Sequence, residues 1–65
     1  MLTIVFKDLK GDFKRGALPT SDMSLAKEMI KQDLSRYPSL ATGEIWDGNK
    51  RVAVYKLEDG ELVYC

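Results

Sequence analysis

The chain has 65 residues, ten basic and ten acidic, with no histidine and a single cysteine, Cys65. A chain of this length buries only about 60% of the surface that it exposes when unfolded; one cysteine closes no disulfide within it, and the lack of histidine argues against a zinc centre and against triads built on an imidazole base. The balanced charge gives no general attraction to nucleic acid or to an anionic membrane.

Leu2 to Lys7, LTIVFK, alternates Leu2, Ile4 and Phe6 with Thr3, Val5 and Lys7, and its β-branched and aromatic content suits a pleated strand. The apolar run is too short to span a bilayer and no basic residue precedes it, so neither a membrane segment nor a signal peptide is expected. Without a disulfide framework either, the expectation is a cytoplasmic protein folded as one domain over residues 1–65.

Residues 8 to 20 carry Gly11, Gly16 and Pro19 among charges, which is loop chemistry. The two glycines have the spacing of the phosphate-binding pattern G-x-x-x-x-G-K-[ST]. Ala17 and Leu18 nevertheless stand where that pattern needs a lysine to neutralise phosphate and a hydroxyl to hold magnesium. The segment is therefore expected to be a strand-to-helix crossing, with Leu9, Phe13 and Leu18 as apolar anchors. Lys10, Lys14 and Arg15 form a secondary basic patch that can dock on an acidic surface.

From Met23 to Tyr37, apolar residues at 23, 26, 30, 34 and 37 recur at steps of three and four, with Met29 widening the stripe, the pattern of an amphipathic helix. Ser21, Asp22 or Ser24 can cap its first turn, and Pro38 ends it. Beyond it, EIWDGNKRVAVYKLEDGELVYC holds two turn signals, Asp47-Gly48-Asn49-Lys50 and Asp59-Gly60, each between strand-forming residues. The predicted fold is α+β, a two-layer β-α-β-β-β arrangement with one helix packed on a four-stranded, mainly antiparallel sheet.

Two-residue turns set Asp47 opposite Lys50, Ile45 opposite Val52, Trp46 opposite Arg51, Leu57 opposite Leu62 and Tyr55 opposite Tyr64. On that register one face carries Ile45, Val52, Val54, Val63 and Cys65. The other carries Trp46, Arg51, Ala53, Tyr55, Leu57, Leu62 and Tyr64. One helix covers one face, so either the 8–20 segment folds over the second or a partner does, since large exposed apolar patches mark interaction sites. Trp, Tyr and Arg also dominate interface energetics. Trp46, Arg51, Tyr55, Leu57, Leu62 and Tyr64 are thus the candidate protein-interaction residues. The expected function is a non-catalytic binding module, homodimeric and acting on a further protein.

No catalytic, metal-binding or cofactor-binding set is expected. Asp47 near Glu58 or Asp59 is a candidate carboxylate pair, but these aspartates sit in tight turns that favour them for backbone reasons. The alternative function is single-stranded nucleic-acid binding, with sheet aromatics stacking bases and the basic 10–15 loop contacting phosphates. Against it stand the zero net charge and Glu44, Glu58, Asp59 and Glu61 on the same meander.

A short strand, a helix reading SLAKEMIKQDLSRYP and a hairpin reading EIWDGNKRVAVYK together resemble, over residues 21 to 57, small accessory proteins of phages and other mobile elements, including inhibitors of bacterial defence systems. The resemblance lies in size and layout. It implies an inhibitor or adaptor that occupies the surface of a host macromolecule.

Overall fold

The structure, a computed structural model, describes residues 1–64 and the side chains of all of these except Ala17 and Leu18. Expectations for Cys65 and for the Leu18 side chain lie outside the described residues. The chain runs β1 (Leu2–Asp8), β2 (Phe13–Thr20), α1 (Met23–Arg36), β3 (Leu40–Asp47), β4 (Lys50–Glu58) and β5 (Glu61–Tyr64). The strands form one antiparallel sheet in the order β2-β1-β3-β4-β5. β2 and β3 run parallel with β1 between them, and α1 is the crossover that joins them over one face.

The α+β class holds, with five strands in place of four and β-β-α-β-β-β in place of β-α-β-β-β. The difference lies in residues 13–20, expected as loop and found as an edge strand on β1. An edge strand needs hydrogen bonds on one side only, so it tolerates Gly16, Pro19 and the charges of Lys14 and Arg15. Because this segment joins the sheet in its plane, it does not fold over the second face. Leu9 and Phe13, expected as anchors, are 90% and 63% exposed.

Asp22 caps α1, its Oδ1 accepting from the N–H groups of Ser24 and Leu25 at 2.9 and 3.3 Å. Ala26, Ile30 and Leu34 follow at steps of four on the buried side. The helix ends at Arg36, one residue before the predicted end, with Tyr37 as its cap and Pro38 preventing continuation. Its stripe packs on Ile4 and Phe6 of β1, Leu40 and Ile45 of β3 and Ala53 of β4, with Leu2, Met29, Tyr55, Leu57 and Leu62 half-buried around them. The closest approach is at Gly43, where a Cβ would lie 2.6 Å from Ile30 Cγ2 and 2.9 Å from Cγ1. Glycine at this position lets the helix seat on the sheet.

Both predicted hairpins form. Gly48 opens the β3–β4 turn with φ +66°, while Asp59 and Gly60 both have positive φ, 53° and 79°, as a type I′ turn requires. Asp47–Lys50, Trp46–Arg51, Leu57–Leu62 and Tyr55–Tyr64 pair as predicted, whereas Ile45 pairs with Ala53 rather than Val52. A β-bulge between Ile45 and Trp46 leaves Val52 as the extra residue, which reverses the alternation of β4. The two predicted faces are therefore regrouped: Ala53, Tyr55 and Leu57 lie with Ile45 on the helix side, and Trp46 and Arg51 turn to the opposite face.

Gly43→Ala is expected to lower stability by about 1 to 3 kcal/mol through overpacking, read from the urea midpoint. In an Ile30→Ala background, where both clashing atoms are gone, the same change should cost much less.

Candidate interaction surface

The helix-free face is built by alternation. β1 contributes Thr3, Val5 and Lys7, opposite Trp46, Glu44 and Thr42 of β3; β4 adds Arg51 opposite Trp46, Val54 opposite Glu44 and Lys56 opposite Thr42. At its centre Glu44 is only 4% exposed, although no helix lies over it. Neighbouring side chains bury it. The Trp46 indole N–H donates to Glu44 Oε1 at 3.0 Å, and on Oε2 converge Lys7 Nζ at 3.1 Å and an Arg51 guanidinium nitrogen at 3.6 Å.

Burial pushes the Glu44 carboxyl up. The Lys7 and Trp46 hydrogen bonds and the charges of Lys7 and Arg51 outweigh it and hold the group below the ordinary glutamate value. Glu44 is thus a buried anion that fixes Trp46, Lys7 and Arg51 in one arrangement across the centre of the sheet. Tethered through its indole nitrogen, Trp46 stays half-buried with part of its ring toward solvent.

The six predicted interaction residues divide three ways. Trp46 and Arg51 share the helix-free face. Tyr55, Leu57 and Leu62 lie on the helix side, half-buried against the core. Tyr64, 66% exposed, stands on the edge strand β5 with its ring 5.6 Å from that of Tyr55 in an edge-to-face contact.

The basic residues 10, 14 and 15 do not pool. Lys14 pairs with Asp8 at 3.6 Å, and Arg15 reaches Asp33 at 3.6 Å on the helix side while its guanidinium lies over Phe6 and Tyr37. In the β1–β2 turn the amides of Lys10 and Asp12 donate to Asp8 Oδ1 at 2.9 and 3.0 Å. The chain's own carboxylate thus occupies the amides that an anion would need. Led by the Asp12 bond, these contacts hold the Asp8 carboxyl below its ordinary value. Asp47 and Asp59 end up at opposite ends of the nine-residue β4, about 27 Å apart at strand rise, so they form no carboxylate pair.

Glu44 and Lys7 were missed as site residues in the sequence. The signal that finds them is the register of β1 beside β3, which sets Val5 against Glu44 and Lys7 against Thr42. A concavity of about 510 Å³ lies at the sheet end, lined by Leu9, Leu34, Pro38, Leu40, Leu57 and Lys56 among others. Among the described residues, no helix is long and apolar enough to cross a membrane. No protein-family model, curated protein or solved structure matches this chain.

A carboxyl held below its unfolded value stabilises the fold above that value, and the contribution is lost as pH falls through the folded one. Stability should therefore decline on acidification below about pH 4.5. Glu44→Gln should lose about 1 to 3 kcal/mol at neutral pH, flatten part of that acid limb and shift the Trp46 emission, all measurable by fluorescence-monitored urea titration across pH.

Proposed function

We propose that this chain is a small non-catalytic protein-binding module of the cytoplasm, a homodimeric inhibitor or adaptor of the phage-accessory type, which presents the helix-free face of its sheet to another protein. The observation that carries this reading is Glu44, buried on a face that no helix covers and holding Trp46, Arg51 and Lys7 in place. Burying a carboxylate costs free energy unless it is fully paired, and here the pairing preorganises two of the residue types richest in binding energy. The face around them mixes valine, threonine and charges of both signs, a composition suited to a protein surface rather than to a polyanion. The dispersal of Lys14 and Arg15 into intrachain pairs also weighs against a phosphate-tracking groove.

Affinity capture from a bacterial lysate, with the wild type and single variants as bait, tests the reading. Trp46→Ala and Arg51→Ala should each weaken retention of a specific protein by tenfold or more, as hot-spot truncations do, while Lys14→Ala leaves it unchanged. Retention should survive nuclease treatment. Capture that vanishes with nuclease, falls steeply with salt and depends on Lys14 would replace this reading with single-stranded nucleic-acid binding.

A further inference from the structure

The two edges of the sheet differ. β2 is guarded by Pro19, Gly16, the charges of Lys14 and Arg15, and two register shifts against β1, devices that stop strand addition. β5 reads Glu61-Leu62-Val63-Tyr64, has no proline, glycine or lysine, and pairs with β4 without a register shift. The type I′ turn at Asp59-Gly60 makes Glu58 and Glu61 a hydrogen-bonded pair. By alternation Val63 also bonds β4, and the N–H and C=O groups of Leu62 and Tyr64 point outward.

We propose that a second copy of this chain pairs antiparallel along β5, joining two five-stranded sheets into one of ten strands. The inference rests on the homodimer of the proposed function and names its interface. A two-fold axis perpendicular to the sheet keeps helix face with helix face, so only registers that set like-facing residues opposite one another are allowed. Among these, the register with Val63 on the axis sets Leu62 opposite the second copy's Tyr64 and Tyr64 opposite its Leu62. All four residues then carry outward-facing backbone groups, and four hydrogen bonds close. Centring on Leu62 closes only two within the strands.

The chosen register makes two aliphatic–aromatic cross-strand pairs on the helix face, of the kind that stabilises sheets, and covers the exposed Tyr64 ring. It places no like charges opposite one another within the described strand. Trp46 and Arg51 stay uncovered, and two copies of their patch lie on one continuous face, about 36 Å apart once the strand spacings across the sheet and the offset along the strands are both counted.

Val63→Cys in a Cys65→Ser background tests the register, because a pair of residues on such an axis brings its Cα atoms to about 4.5 Å, within disulfide range. Mild oxidation should convert this variant to a covalent dimer, while Lys50→Cys in the same background, on the β3–β4 turn, should cross-link far more slowly. Tyr64→Pro removes an outward N–H that β4 does not use. It should weaken self-association at least tenfold in light scattering coupled to gel filtration while leaving the circular dichroism spectrum unchanged. A dimer that ignores Tyr64→Pro and fails to cross-link at position 63 overturns the edge interface and leaves the homodimer to another surface. A wild type that stays monomeric across the micromolar range overturns both the interface and the homodimer, without touching the Trp46 face, whose capture assay is independent.

Discussion

The seating of Ile30 on Gly43 is the constraint around which this small protein is arranged. A single helix must cover the middle of a five-stranded sheet, and it does so only because the central strand β3 has no side chain at the point of closest approach. That contact sets the helix over β3, with β1 on one side and β4 on the other. Ile4, Phe6 and Ile45 are consequently fully buried, while on the same side Tyr55 and Leu57 of β4 and Leu62 of β5 are covered only in part. Burial of each large side chain contributes about 1.5 to 3 kcal/mol, and the core contains few of them. The stability of the fold is concentrated on a narrow strip running from the helix into β1 and β3.

With the helix committed to one face, the other must solve its own burial problem. It does so with an ion-paired centre in place of a hydrophobic layer. Glu44 lies beneath the long side chains of Lys7 and Arg51 and beside the Trp46 indole, whose apolar parts shield it as their polar ends pair with it. Such a centre adds little net stability compared with an apolar one, since desolvation offsets much of the attraction. What it supplies is geometry, because three side chains that would otherwise sample many rotamers converge on one carboxylate.

The bulge at Val52 connects the two layers. Without it, Trp46 and Arg51 could not lie opposite each other on the helix-free face while Ala53, Tyr55 and Leu57 pack toward the helix. One extra residue reverses the pleat, so a single strand serves the core along most of its length and the open face at its start. The same change of side takes Tyr55, Leu57 and Leu62 out of the exposed patch that their spacing suggests and leaves Tyr64 alone at the edge.

Much of the local structure was legible in the sequence. The three-four spacing from Met23, the cap at Asp22 and the stop at Pro38 are short-range signals, and the helix follows them to within one residue. The Gly48 and Asp59-Gly60 turns set hairpin pairs that local backbone geometry alone can specify. Only the tertiary structure decided the rest. Gly16, Pro19 and the surrounding charges read equally as a loop or as a guarded edge strand, and pairing with β1 determines which. The bulge shows only in the pairing of β4 with β3, and no residue near Val52 announces it. Glu44 appears in the sequence as one more surface acid; its burial depends on β1 lying against β3 with Lys7 in reach, a neighbour more than thirty residues away in the chain.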